Sequence, residues 1–497
     1  MKALSFLLAW LSVLLTELVG ARAGEPIEIG SRLELLVDGY WIESLSGGAE
    51  QRLHHPVARE VALVVNEPWE GNRPGYVTVF QDGDRYRMYY RASNFILRDG
   101  RWTSEWQRTC YAESQDGIHW TKPKLGLFEV GGTRDNNVIL TSEVAGTATH
   151  NFCPFRDPRP DIPEAERYKA FGGTGRGRGV WAFVSADGIR WKKLREKQVI
   201  TTGAFDSQNL AFWDAERNEY RAYIRDFREG RDIRTCTSPD FIHWSEPEFI
   251  EYVPRRVSEL YTNQIQPYYR APHILLGFPT RYVERPWQAA TEFLPFPEER
   301  RRLFETQTSR LGTAVTDGMF MSSRDRHTFA IWPESFHRPG PGTGWFYGHG
   351  YQAWGLVETK SAIEGAPNEL SMYFTESRPG LARVLRRYTL RIDGFVSVWA
   401  PLAGGELLTR PLIFQGRQLV INYATSAAGS LRMEIQEADG TPIPGFTLAD
   451  AEELFGDSLA QPVLWKHGPD VTQLAGRPVR LRFVLSDADV FSFQFHR

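Results

Sequence analysis

The sequence predicts an all-β chain, a five-bladed β-propeller followed by a C-terminal β-sandwich, and three observations predict it. The first is a recurring seven-residue stretch: "SQDGIHW" at 114–120, "SADGIRW" at 185–191, "SPDFIHW" at 238–244, a weaker "SRDRHTF" at 323–329 and a degenerate "RIDGFVS" from Arg391. Its aspartates, Asp116, Asp187, Asp240, Asp325 and Asp393, stand 71, 53, 85 and 68 residues apart, so the repeating unit is large and accepts insertions. The second is the order of segments upstream of each copy. An apolar strand, a polar turn, an alternating strand and a third strand run into the motif, as in "GYVTVF", "QDGD", "RYRMYYRAS", "QRTCYAES" and again in "NLAFW", "DAERN", "EYRAYIRD", "IRTCTS". Alternating tyrosines between Gly, Asp and Asn turns describe antiparallel hairpins. The third is a change of texture after Pro401, where long alternating runs with Gly and Asp turns read as a second antiparallel domain.

The elements follow in order. The chain opens on Lys2, an apolar run and "ARA" at 21–23, the pattern of a secretory signal, so residues 1–23 are assigned to a signal peptide and the mature chain to the secreted or periplasmic space. Thr16 and Glu17 interrupt the run short of the ~20 apolar residues a membrane span needs, and no association with a membrane is expected after cleavage. Residues 24–400 form the propeller, a fourth strand such as "TKPKLGLF" completing each unit. Tandem four-stranded units close into a ring that leaves no long sheet edge exposed. Segment 25–60 supplies a strand to close the last blade. Within the motif, Ser and Asp are turn formers, Gly permits positive φ and the Trp fills space between blades, so these aspartates are structural. Residues 401–497 form the sandwich, with a short helix expected over 448–456.

Net charge is −3 with acids and bases well mixed, which leaves nucleic acid without an electrostatic footprint. Aromatics make up 13% of the chain, suiting both strands and sugar-stacking surfaces. Of three cysteines, Cys110 and Cys236 fall at equivalent places in separate units, so no disulfide is expected. There is no H-E-x-x-H, paired C-x-x-C or G-x-S-x-G, and "RPGPGTG" at 338–344 has prolines where a phosphate cradle needs amide donors.

The segments "LLVDGYWIE", "PWEGN", "ELYTNQIQPYY" and "RRYTLRIDGFVSVWA" resemble those of the five-bladed glycoside hydrolase superfamily, family 32-like or 43-like, with invertase, levanase and arabinanase relatives. In particular they look like uncharacterised secreted members of the kind found in Planctomycetes. The resemblance implies a glycosidase acting on plant or algal poly- or oligosaccharides, a carbohydrate as partner and no required cofactor, with room for a central structural cation. Two local motifs depart from the family: "WMNDPNG" and the "EC" dipeptide are absent. "FRDP" at 155–158 resembles the R-D-P triplet, yet Asp157 falls level with the hairpin aspartates Asp82 and Asp214 and is read as structural.

In this superfamily the catalytic carboxylates project from the start of the innermost strands, where separate blades can aim side chains at one point. The equivalent stretches here hold Glu70 and Tyr76, His150 and Asn151, Asp206 with Gln208 and Asn209, Glu259 with Tyr261 and Asn263, and His349 with Gln352. Glycoside hydrolysis needs one protonated and one ionised carboxyl group. Glu259, beside Leu260 and Tyr261, is assigned as the acid, Asp206 as base or nucleophile, and Glu70 as a third acid that tunes the pair or takes the base role. Each also reads as an ordinary loop or turn acid. Tyr76, His150, Asn151, Gln208, Asn209, Tyr261, Asn263 and His349 are the substrate-binding candidates, the two histidines reading equally as core residues. No metal ligand set is assigned, and oligomeric state is left open. Two alternatives stand: a non-catalytic glycan binder, which would show aromatics without a carboxylate pair, and a sialidase-type hydrolase, which would show three convergent arginines.

Overall fold

Five sheets of four or five strands, antiparallel but for Glu251–Val253 beside Thr328–Ile331, succeed one another along the chain, with a three-stranded sheet of Glu259–Leu260, Thr280–Val283 and Val315–Gly318 inserted in the fourth, and a ten-stranded sheet gathers both ends of the described chain. The computed structural model describes residues 25–98, 101–175, 178–256, 258–306, 309–376 and 383–497. The signal assignment at 1–23 lies outside the described residues. The all-β expectation holds: among the described residues helices are confined to short segments, the longest being Pro297–Thr306.

The first sheet starts with Gly75–Asp82 and continues through Arg85–Arg98 and Arg101–Ser114. The second starts with Cys153–Arg156, the third with Leu210–Asp214, the fourth with Gln266–Tyr268 and the fifth with Val357–Thr359. The fifth is completed by Val57–Val65, antiparallel to Arg383–Arg391, so an early strand closes the last sheet.

The repeated heptapeptide is the corner that joins these sheets. In the first copy Ser114 Oγ accepts from the amide of Gly117, Asp116 Oδ1 accepts from the amides of Ile118 and His119, and Trp120 Nε1 donates to the Gly117 carbonyl. The second and third copies repeat these bonds through Ser185 and Asp187 and through Ser238 and Asp240. The fourth residue is left-handed, with φ of 71° at Gly117, 74° at Gly188, 68° at Phe241 and 75° at Arg326, which glycine adopts freely and the other two residues adopt at a cost of about 1–2 kcal/mol. Each corner is then held by a buried side chain of the preceding sheet. Tyr89 donates to the Gly188 carbonyl (3.0 Å), Phe171 stacks on Phe241 (5.0 Å), Tyr223 donates to the Arg326 carbonyl (2.7 Å) and Tyr268 to Asp393 (2.6 Å). Tyr373 of the fifth sheet donates to the Gly117 carbonyl of the first, so the succession is cyclic. The hairpin aspartates work alongside: Asp82 accepts from Tyr168, Asp157 from Tyr220 and Asp214 from Arg326. Asp157 thus stands in the structural row its alignment indicates.

At the hub the sheets meet through amides. Gln208 Nε2 donates to Thr78 Oγ1 (2.8 Å) and to Cys153 Sγ (3.5 Å), while Gln264 Nε2 donates to Gln208 Oε1 (2.8 Å) and to the Gln352 carbonyl (2.9 Å). These five residues come from five different sheets or their leading segments. Their cluster contains no carboxylate or imidazole, and among the described residues no group of three or more His, Cys, Asp or Glu is placed to hold a metal.

Two elements differ from expectation. Residues 27–53, assigned above with the repeat units, pair with the C-terminal sheet: Ile27–Gly30 with Leu412–Phe414, Ile42–Ser46 with Gly405–Thr409, and Glu50–Leu53 with Val396–Ala400. Alternation shows that a segment is a strand but not which sheet receives it, and Trp41, fully buried among Leu407, Phe414 and Phe493, fixes the choice. Residues 448–456 form turns in place of a helix, because Leu454 exchanges both backbone bonds with Leu431 (2.8 Å each), and nine residues are too few to hold a helix against that pairing. The cysteines are buried and unpaired, and among the described residues no helix is long and apolar enough to cross a membrane.

Candidate functional site

At one end of the hub a cavity of about 190 Å³ opens, and Tyr76, His150, Asp206 and Tyr261 line it together. Tyr76 lies on the first strand of the first sheet, and the other three come from segments leading into three further sheets. Tyr76 sits at φ 47° and Phe205, just before Asp206, at φ 59°, so both approaches to the cavity turn through left-handed backbone.

His150 Nε2 lies 3.4 Å from Asp206 Oδ1. The same nitrogen lies 3.3 Å from Arg91 Nη1, and Nδ1 faces Gln107 Oε1 at 3.2 Å. A neutral ring with its proton on Nε2 donates to Asp206, whereas one with its proton on Nδ1 donates to Gln107 and accepts from Arg91, so the tautomer decides which neighbours the ring serves. Burial, reinforced by the positive charge of Arg91, lowers the His150 pKa and favours the neutral form. The hydrogen bond from His150, with help from Arg225 and Arg91, holds the Asp206 carboxyl down at about 2. At neutral pH the cavity therefore presents an ionised carboxylate against a neutral imidazole, an arrangement in which a proton arriving at either group finds the other as acceptor.

Tyr347 donates to Tyr261 Oη at 2.8 Å, and Tyr351 packs against the same ring at 5.5 Å, which gives the cavity a tyrosine wall. Four arginines complete the lining: Arg73, Arg91, Arg310 and Arg383. Burial, together with Arg73 and Arg91, pushes the Arg383 pKa down to about 9.

The remaining candidates lie elsewhere. Asn151 is fully buried and donates to the carbonyls of Gly173 (2.7 Å), Phe205 (3.0 Å) and Ser207 (2.5 Å), leaving its amide nothing to offer a ligand. Asn209 donates to Phe205 and Ser207 and accepts from the Arg225 amide, so two asparagines grip the loop that carries Asp206. Gln208 belongs to the hub, and Asn263 donates to the backbone of Gln208 and Tyr223. Amides at strand starts are used here because strands of different sheets diverge there and leave carbonyls to be satisfied. His349 faces a second cavity with His55 and His337.

Two of the three acids are also committed elsewhere. Glu259 Oε2 accepts from Arg231 Nη1 (2.7 Å) and from the Arg231 amide (3.0 Å), and it is not among the residues lining the cavity. Glu70 is fully buried, accepting from Lys122 (2.8 Å), Tyr90 (2.5 Å) and the amides of Asn66 and Glu67 (2.9 and 2.8 Å). Asp206 is the one carboxylate among the described lining residues.

The arginines are what sequence reasoning missed. A signal existed: Arg91 in "YYRAS" and Arg225 in "YIRDF" occupy the same place on the second strand of the first and third units. Arg225 Nη1 donates to the Asp206 carbonyl at 3.0 Å, so this repeated arginine serves the cavity from two sheets.

No protein-family model matches the chain. Two curated relatives from Mycobacterium tuberculosis match over 164 residues: uncharacterized protein Rv1502 of strain H37Rv at 28% identity and uncharacterized protein MT1551 of strain CDC 1551 at 30%. The match spans 32% of this chain and 44% of each relative, less than half their length. Solved structures with a similar course include a glycosyl hydrolase from Bacteroides ovatus (TM-score 0.41, 12% identity, 68% of this chain and 94% of that one). The catalytic domain of Coprinopsis cinerea GH62 alpha-L-arabinofuranosidase gives 0.40 at 8% identity over 68% and 97%. An N-acetylgalactosamine deacetylase from F. plautii, in complex with blood group B trisaccharide, gives 0.36 at 14% over 74% and 94%. Likeness at this level assigns neither a reaction nor a residue.

Proposed function

We propose that this chain is an exported five-bladed β-propeller with a C-terminal β-sandwich that cleaves glycosidic bonds in poly- or oligosaccharides at the cavity beside the hub. The observation that carries the reading is the ionised Asp206 set against neutral His150 in a pocket walled by tyrosines. Tyrosine faces and hydroxyls suit the alternating apolar and polar surface of a sugar. Asp206 is the base or nucleophile, since a carboxyl held near 2 is ionised at any physiological pH and cannot serve as the resting acid. His150 positions it and passes the proton. The acid role given to Glu259 is withdrawn because its carboxylate is occupied by Arg231, and no residue of the lining is assigned in its place.

A second reading, a glycan-binding protein without catalysis, is favoured by the single carboxylate on the lining, since the usual glycosidase uses two. A polysaccharide panel separates the two. Wild type, Asp206→Asn, His150→Gln and Glu259→Gln are assayed for release of reducing ends. The enzyme reading expects a loss of ~10²–10⁴ for the first two variants and near wild-type rates for Glu259→Gln. Equal rates in all four would remove Asp206 from the chemistry, and binding without turnover in any would establish the binder.

A further inference from the structure

Resting on the reading of this cavity as a saccharide site, we propose that its ligand is a sugar carrying an oxyanion, a carboxylate or a sulfate ester, gripped by Arg73, Arg91, Arg310 and Arg383. Many arginines elsewhere in the chain meet carboxylates, as Arg281 does Asp317, Arg326 Asp214 and Arg387 Glu60, while the buried Arg225 and Arg300 are held by backbone carbonyls. Among the described residues none of the four at the cavity meets a carboxylate, and the lining offers them only Asp206, already engaged by His150. Clustered cations without counter-charges cost stability, and the cost grows with burial. Arg91 is 9% exposed with its Nε buried and unpartnered, and Arg383 sits where burial and two neighbouring guanidinium groups weaken its hold on its proton.

The four converge from distant places. Arg73 precedes the first sheet, Arg91 lies on its second strand, Arg310 on the short helix Ser309–Thr313 and Arg383 at the start of Arg383–Arg391. Three of them lie over aromatic faces, Arg73 at 4.8 Å from the Phe95 ring, Arg91 at 4.7 Å from that of Tyr76 and Arg310 at 5.1 Å from that of Tyr347. Stacking fixes a guanidinium plane and leaves its edge N–H groups directed at a ligand, the geometry that grips an oxyanion through paired bonds. The chain as a whole carries a charge of −3, so this positive focus is local to the cavity. A neutral sugar would leave those charges uncompensated, whereas an oxyanion supplies what the fold does not.

The test uses the full mature chain and three sugars that differ only at C6: galactose, galacturonate and galactose 6-sulfate, with inorganic sulfate alone as a fourth probe. Binding is read by calorimetry and by the rise in melting temperature, neither of which requires turnover. The charged sugars should bind at least roughly tenfold more tightly than galactose, the worth of one charged hydrogen bond, and whichever of the two is preferred identifies the group. Arg383→Gln should erase that preference while melting at or above the wild-type temperature, since it removes an uncompensated cation. Equal affinity for galactose and the charged sugars, or undiminished charged-sugar binding by Arg383→Gln, would overturn the inference. So would inorganic sulfate binding as tightly as either charged sugar. Cleavage of neutral glycans without any preference for charge would sink this inference and leave the glycosidase reading intact, while charge-selective binding without cleavage would do the reverse.

Discussion

His150 Nε2 and Asp206 Oδ1 face each other at 3.4 Å from the segments leading into two different sheets, with Arg91 Nη1 3.3 Å from the same imidazole nitrogen. The arginine sets the histidine's proton affinity and the histidine sets the aspartate's, so the three form one electrostatic unit. Burial and Arg91 both lower the His150 pKa. Its imidazole Cε1 proton, followed by NMR against pH, should titrate below the ordinary value of about 6.5. Arg91→Gln should move that midpoint upward by removing a like charge. An unmoved midpoint would mean that burial alone acts.

Asn151 holds three carbonyls around the Asp206 loop. Asn151→Ala removes one donor from each, of which the Phe205 and Ser207 carbonyls keep Asn209, and should cost about 1–3 kcal/mol in urea unfolding, the penalty for a buried group left unsatisfied. A pure substrate ligand at this position would instead raise KM and leave the unfolding midpoint where it was.

Glu70 distinguishes a structural acid from a catalytic one in the same way. Lys122, with its side chain 16% exposed, depends on it, and Tyr90 donates to its other oxygen. Glu70→Ala should lose about 3–5 kcal/mol, the usual result of stripping one partner from a buried pair. Turnover per folded molecule should stay near wild type, as measured at a temperature where the variant remains folded.

His337 contributes to the pH dependence of stability. Its pKa is lowered to about 3 by burial and by His349, and its ring stacks on Phe374 at 4.0 Å. A histidine depressed in the folded state is protonated first in the unfolded chain, so stability is complete above about pH 6.5 and falls as pH drops from there toward the folded value. The slope from this one group approaches about 1.4 kcal/mol per pH unit. His337→Phe, which keeps the stacking, should flatten the unfolding free energy between pH 6.5 and 4 by that amount. A parallel pair of curves would place the acid sensitivity in other groups.

The repeated corner was legible because its serine, aspartate, left-handed residue and tryptophan are neighbours in sequence and bond to one another. Strand order in the first and third units was legible for the same reason. The cavity was legible in part: looking at the starts of innermost strands found Tyr76, His150, Asp206 and Tyr261, which do share one lining. The same search also gathered Asn151, Gln208, Asn209 and Asn263, since an amide that satisfies a backbone and one that awaits a sugar look alike in a string of letters. Arg73, Arg310 and Arg383 escaped because their meeting depends on an insertion, a leading loop and a closing strand folding to one point, and no local pattern records that. The destination of residues 27–53 is a similar long-range fact, decided by where Trp41 can be buried.

Cyclic closure itself can be tested at Gly355. The seam between the fifth and first sheets runs through Trp354, whose carbonyl accepts from the Val79 amide and whose amide donates to the Val77 carbonyl, both at 2.8 Å. Gly355 follows at φ 121°, and a Cβ there would stand 1.7 Å from the Val79 carbonyl oxygen. Both partners are backbone, so neither can swing aside, and Gly355→Ala must force the two sheets apart. Gly365 makes the control: its φ is 77° and a Cβ would meet nothing within 4 Å, so Gly365→Ala should lose only the left-handed strain of about 1–2 kcal/mol. Gly355→Ala should lose at least about 4 kcal/mol or fail to accumulate as folded protein, a size reserved for substitutions that overpack a rigid seam. If urea unfolding instead gave the two variants equal midpoints, the first and fifth sheets would not be locked together as described, and the cavity they share with the other three would lose the rigidity that holds His150 against Asp206.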